Sequence, residues 1–246
     1  MKEYTVETIG DFITAVDTLT TDFDNFLLWW RGQADSTWPL TPGIIRCKNR
    51  AFEGSLISRF VLKAKSRYSN CPRSDAIGPW LFLMQHYRLP TRLLDWSESP
   101  LVALYFAVRS EDQYDKDAAI WGLQPSKLNF AQAKSAHLLS HDSLEVQPLF
   151  QQAQDKNWGK LDLRTLAVQT EETDIRHLVQ QSEFTIHGSS TPIENLPDND
   201  KFLCKIIIPS SAKGKMLRLL DLLGITQSYL FPDLDNLSAD IASFRF

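Results

Sequence analysis

Cysteine is scarce in this 246-residue chain, which has only Cys47, Cys71 and Cys204. Three widely spaced thiols, odd in number and without a Cys-x-x-Cys pair, argue against a disulfide framework and against a thiolate zinc site. Long apolar runs are missing as well. Stretches such as Leu101 to Val108 are far too short to span a bilayer, so no membrane partner is expected. The opening Met1-Lys2-Glu3-Tyr4-Thr5-Val6 has no basic segment followed by an apolar one. No secretion signal is expected there, and the expected location is cytoplasmic. Positive charge is not in excess: 26 Lys and Arg face 30 Asp and Glu, a net charge of −4. That balance gives no global attraction to phosphate backbones, although Arg46, Lys48, Arg50 and Arg59 make a local basic patch. Repeats and low-complexity tracts are absent. So are the phosphate-cradling GxxxxGK loop, the dinucleotide GxGxxG, the GxSxG elbow and the zinc-binding HExxH. His137 and His141 lie four apart but have no third ligand nearby in the sequence, and they read as surface residues.

With 43% hydrophobic and 23% charged residues the composition is that of a globular protein, and the length suits one sizeable core. The pattern predicts helices over Val6–Leu19, Ala51–Tyr68, Gly78–Tyr87, Ser99–Val108 and Ser210–Leu223, and over Glu172–Val179. Ser99 is placed to cap a helix whose first turn holds Pro100, and Gly224 to close the helix before it. Strands are predicted over Phe26–Trp30, Ala118–Leu123, Glu183–His187 and Phe202–Ile208, with a short extended piece at Leu93-Leu94. Residues 127–162 predict a helical or loop insertion. Helices and strands alternate without a βαβ rhythm, so the expected class is α+β: a single domain over 1–246 with a central split or mixed β-sheet flanked by helices.

Two segments place charge among large apolar side chains, where it is costly unless paired or engaged with a ligand. The first is Trp29-Trp30-Arg31-Gly32-Gln33. Arg31 projects from a strand end, where a guanidinium holds phosphate or carboxylate bidentately, or else pairs with a core acid such as Asp95. The second runs from Gln85-His86-Tyr87 through Pro90-Thr91-Arg92-Leu93-Leu94-Asp95-Trp96 to Ala103-Leu104-Tyr105-Phe106-Ala107. His86 stands near a helix C-terminus. Arg92 and Asp95, three apart, would face opposite sides of a strand, and a buried ion-pair network explains them as well as catalysis does. Tyr105 is read as a stacking residue and Phe106 as core. A carboxylate at Glu183, where a helix runs into a strand, either stabilises positive charge on a sugar ring or is a solvated edge charge. A triad of Ser97 or Ser99 with His86 and Asp95 can be written, but nothing marks a nucleophile elbow.

Trp30-Arg31-Gly32-Gln33, the Gln85–Ala107 block, Gln180-Gln181-Ser182-Glu183-Phe184, Leu223-Gly224-Ile225 and Leu230-Phe231-Pro232-Asp233-Leu234 together resemble the FRG domain family, named for an aromatic-Arg-Gly motif. The order of elements more distantly resembles the ADP-ribosyltransferase-like fold. Arg31-Gly32 stands at the early strand, Thr91–Ser97 with Ala103–Phe106 at the strand and helix that follow, and Gln181 or Glu183 at the late strand. The middle element departs from that pattern, reading Thr-Arg-Leu-Leu-Asp-Trp-Ser, and the late acid is not in a Glu-x-Glu pair.

The resemblance implies NAD as substrate, with transfer of ADP-ribose to a protein or nucleic-acid acceptor or hydrolysis of the nicotinamide bond, in a bacterial effector, toxin or phage-defence setting. Arg31 would bind the dinucleotide phosphate or ribose. Tyr105 or Tyr87 would stack on nicotinamide. Glu183, or Gln181 or Gln180 in its place, would stabilise the oxocarbenium-like centre. Gly32, Gln33, His86, Thr91, Arg92 and Asp95 complete the expected binding set. The rival expectations are a non-catalytic nucleotide or nucleic-acid module, in which Arg31, Arg92 and Arg46 line an anion site, and a protein-interaction domain.

Overall fold

A computed structural model describes residues 1–47, 53–154, 162–169 and 175–242. Strands β1 (Lys2–Thr5), β2 (Trp29–Gln33), β3 (Leu93–Ser97), β4 (Ala118–Leu123), β5 (Leu139–Ser140), β6 (Thr165–Gln169), β7 (Ser182–His187) and β8 (Leu203–Ile208) build one sheet in the order β1-β8-β4-β2-β3-β7-β6-β5. The outermost pairs, β1 with β8 and β5 with β6, are parallel, and every pair between them is antiparallel. The helices are α1 (Ile9–Asp22), α2 (Gly43–Arg46), α3 (Glu53–Ala64), α4 (Ile77–His86), α5 (Pro100–Val108), α6 (Pro125–Ala133), α7 (Gln147–Gln151), α8 (Ile175–Gln180), α9 (Ser210–Leu222), α10 (Gln227–Leu230) and α11 (Leu234–Ala242). The chain is thus a mixed-sheet α+β protein. No helix among the described residues is long and apolar enough to cross a membrane.

Local chemistry sets the boundaries. The Ser99 side chain accepts the Val102 amide at 3.4 Å and Pro100 fills the first turn of α5, as the sequence predicts. Thr8 caps α1 in the same way by accepting the Asp11 amide. Gly224, with φ of +82°, follows α9 in the left-handed region that favours glycine. Side chains alternate across the strands. One face of the sheet puts Trp30, Ile120 and Ile206 under α1, α5 and α9, and Leu93, Phe184 and Ile186 under α3, α4 and α7. The other face buries Trp29, Leu94, Trp96, Trp121 and Leu203 in a third cluster.

The predicted strand Phe26–Trp30 is observed three residues later as β2, so Arg31 and Gly32 pair with Trp121 and Ile120 inside the strand instead of forming its end. β1, β5 and β6 are strands the sequence did not predict. β1 is exposed along its whole length and gives no alternation signal; parallel pairing to β8 makes it a strand. β6 is almost wholly buried between β7 and β5, so its pattern carries no period. The region 127–162 supplies most of α6, β5 and α7, and its residues 155–161 lie outside the described residues. The predicted helix over Ala51–Tyr68 is α3, and that over Glu172–Val179 is α8; their first residues, 51–52 and 172–174, also lie outside.

Candidate functional site

The sheet parts in its middle. β2 pairs with β4 along five residues and β3 with β7 along five, but β2 and β3 pair only at Trp30 and Ser97. Beyond that pair the strands diverge. Arg31 sits at the divergence with its side chain only 18% exposed, and its Nη1 donates to the Asp95 carbonyl oxygen at 2.6 Å. The Asp95 carboxylate is 3.8 Å away. The Arg31 Nε–H is buried with no partner among the described residues. Burial lowers the Arg31 pKa from 12.5 to about 10; Asp95 opposes the shift and Arg46 adds to it.

Gly32 explains how a helix comes to line this divergence. A Cβ there would lie 1.9 Å from the Ala103 carbonyl oxygen and 2.7 Å from the Ala107 amide nitrogen. Only glycine lets α5 lie this close on β2. That approach turns Val102, Ala103, Phe106 and Arg109 toward a cavity of about 690 Å³ at the split. Among the described residues its cationic lining is Arg31, Arg46, Arg88, Arg109 and Arg176, and its only carboxylate is Asp95. Trp30, Trp38, Trp96 and Phe106 supply flat apolar walls. Among the described residues no ion pair joins a carboxylate to Arg46, Arg88 or Arg109. Asp95 is held from outside: its Oδ2 accepts from Gln85 Nε2 at 2.7 Å, and Gln85 Oε1 accepts from the buried Thr91 hydroxyl. Next to the cavity is a smaller hollow of about 400 Å³, lined by His86, Tyr87, Ile175, Pro232 and Asp233 and sharing Arg88 and Arg176 with it.

The residues expected from sequence divide into groups. Arg31, Gly32, Gln33 and Asp95 meet in the cavity, while His86 and Tyr87 line the adjoining hollow. Arg92 and Asp95 part company, as their spacing requires. Arg92 is fully buried and donates to Glu53 through its amide, Nε and Nη2, and to the carbonyls of Leu149 and Gln152. It clamps α3 and α7 to β3, so the structural ion pair replaces the expected binding role. Thr91 is likewise buried, positioning Gln85 rather than facing a ligand. Tyr105 and Phe106 exchange their expected roles: one helical step, about 100°, turns Phe106 into the cavity and leaves Tyr105 in the core under Arg109.

Glu183 and Gln181 are not among the lining residues, though their neighbours Gln180 and Ser182 are. Glu183 pairs with Trp96 across the sheet, and one step beyond the Trp30–Ser97 pair brings Arg31 alongside Trp96. Arg31 and Glu183 therefore share a face, two strands or about 10 Å of backbone apart, with the Trp96 indole between them. The Glu183 Oε1 accepts from Gln169 Nε2 at 3.2 Å. Gln181 is in the left-handed region at φ of +46°, and its carbonyl accepts the Glu98 amide. Sequence reasoning missed Trp38, Arg88, Arg109 and Arg176. Only Arg109 had a signal, lying three residues after Phe106 on the helix face that begins at Val102.

Fold and cavity together define a mixed-sheet α+β protein whose sheet opens onto a basic, tryptophan-walled cleft. Residues 27–116 match the family model of the FRG domain, and the chain carries that domain there. No curated protein and no solved structure matches the chain.

Proposed function

We propose that the cleft binds NAD or a related nucleotide and that the chain either transfers its ADP-ribose or hydrolyses its nicotinamide bond. The observation that carries this reading is that, among the described residues, five guanidiniums stand against one carboxylate in a tryptophan-walled cavity of a protein whose net charge is −4. Guanidiniums recognise phosphate, indoles stack on planar bases, and the volume falls in the range of about 300–1,000 Å³ typical of small-molecule sites. Arg31 lies where the phosphate or ribose would enter. In the reaction the glycosidic C–N bond breaks with its electron pair passing to the pyridinium nitrogen, and neutral nicotinamide leaves. An oxygen of water or of a protein or nucleic-acid acceptor bonds to the anomeric carbon and gives its proton to a base. A carboxylate on the Trp96 side, Glu183 in this proposal, stabilises the positive charge that develops on the ribose. Such chemistry suits an effector or phage-defence protein.

The same reading extends the FRG unit over residues 1–246. Of the strands, the matched segment contributes only β2 and β3, and these gain their ladders from β4 and β7, which lie outside it. The test is incubation with NAD while free nicotinamide is measured. The wild type releases it, and Arg31→Ala and Glu183→Gln cut the rate by about 100-fold or more. A non-catalytic nucleotide module is the second reading, favoured by the absence of Glu183 from the cavity lining. It prevails if NAD binds in an Arg31-dependent way and no nicotinamide appears.

A further inference from the structure

We infer that Arg88, Arg109 and Arg176 form a pyrophosphate subsite at one end of the cleft, built around the ring of Phe231. The inference rests on the nucleotide reading and assigns its phosphate group to this trio. The three come from separate places: the turn after α4, the residue that ends α5, and α8. Their guanidinium carbons lie 6.0, 5.2 and 4.7 Å from the centre of the Phe231 ring. Arg109 also stands 5.0 Å from the centre of Phe106, the ring that lines the cleft. An aromatic ring offsets part of the repulsion among gathered cations and holds them in a fixed array, but it does not neutralise them. Among the described residues one acid, Asp233, lines the adjoining hollow; Asn236 holds its carboxylate through its amide at 2.8 Å and its side chain at 2.6 Å, and its charge acts on Arg176, while no ion pair joins a described carboxylate to Arg88 or Arg109. An array of guanidiniums held this way is matched by a multivalent oxyanion.

Two further observations point the same way. Arg88 closes α4 at φ of +62°, a conformation that favours glycine, so the chain keeps a large cationic side chain where backbone strain opposes it. The segment carrying Phe231 is tied to the split itself: the Ser97 hydroxyl donates to the Gln180 carbonyl at 2.7 Å, and Gln180 Nε2 donates to the Leu230 carbonyl at 2.8 Å. The phosphate end and the ribose end of the cleft are therefore set at a fixed distance. Arg31 and Asp95 are left to the ribose and base.

Calorimetric titration with inorganic pyrophosphate, ADP-ribose, NAD and nicotinamide riboside, which lacks the pyrophosphate, tests the assignment. Arg88→Asn, which keeps a residue tolerant of the left-handed region, and Arg109→Gln are the variants. Pyrophosphate and ADP-ribose are expected to bind the wild type. Each variant should weaken both by about tenfold while changing nicotinamide riboside binding by less than about twofold. Unchanged ADP-ribose affinity in both variants, or no pyrophosphate binding to the wild type, overturns the subsite. Arginine-dependent pyrophosphate binding without nicotinamide release sinks the ribosyl chemistry and keeps the subsite. Nicotinamide release at unchanged KM in the double variant does the reverse.

Discussion

Replacing Gly32 by alanine tests the packing that shapes the cleft. The new Cβ would lie 1.9 Å from the Ala103 carbonyl oxygen, 2.7 Å from the Ala107 nitrogen and 2.9 Å from the Ala103 carbonyl carbon, where ordinary contact begins at 3.4 Å. All three obstacles are backbone atoms, so no side chain can rotate away. Relief requires α5 to withdraw from β2 by about 1.5 Å, opening the core beneath it. Overpacking usually costs about 1–3 kcal/mol, and a rigid backbone on the receiving side puts this case at or above the upper end. For a protein of this size about 3 kcal/mol lowers Tm by roughly 6–12 °C. Urea unfolding followed by the fluorescence of the seven tryptophans measures the loss. Because Val102, Phe106 and Arg109 move with α5, the folded variant should also bind nucleotide more weakly. Adding Ala103→Gly should not rescue it, since the clash is with the Ala103 main chain. A Gly32→Ala protein within about 0.5 kcal/mol of wild type, or one rescued by Ala103→Gly, would refute the account.

Arg92→Met leaves Glu53 buried with its main counter-ion gone and should cost about 3–5 kcal/mol; a matching Glu53→Met should recover much of that in urea melts, with nucleotide affinity of the folded protein unchanged. His187 is fully buried, and desolvation, followed by the charges of Arg31 and Arg92, lowers its pKa from 6.5 to about 3. The unfolded chain therefore takes up a proton near pH 6.5 that the folded protein refuses until about pH 3. Stability then falls as pH drops through that window, by about 1.4 kcal/mol per unit. Urea melts at pH 6.5 and 5 should show a loss of about 2 kcal/mol that His187→Gln removes; an equal loss in both proteins rejects His187 as its source. Phe106→Ala should weaken nucleotide binding about tenfold and Tyr105→Phe should not, as read by calorimetry; the opposite ranking would return Tyr105 to the site.

Elements with a strong local signature were legible in the sequence. Ser99-Pro100 announces α5, and the β-branched run Ile206-Ile207-Ile208 announces β8. β1 was not, because four exposed residues become a strand only through a partner about 200 residues away in the chain. The first half of the site could be read because Arg31 and Asp95 are charges set in apolar surroundings. Arg88 and Arg176 look like ordinary surface arginines in sequence, and Arg109 has only its helical spacing from Phe106; the packing of α4, α5 and α8 around Phe231 brings the three together. Arg92 drew attention for the same reason as Arg31. Its partner Glu53 is 39 residues away in the chain, so nothing local separates a core clamp from a ligand-binding arginine.

Where the ladder between β2 and β3 stops, the next connection is made by a side chain: the Arg31 guanidinium on the Asp95 carbonyl. A main-chain amide has one hydrogen to give and, once used, is finished. A guanidinium has five, and can stitch a neighbouring strand while still offering donors to whatever lies beside it. The two half-sheets are thus fastened by the same group that, in the proposed function, meets the anion. If the cleft takes its proposed ligand, occupancy and the width of the gap are linked through that one side chain.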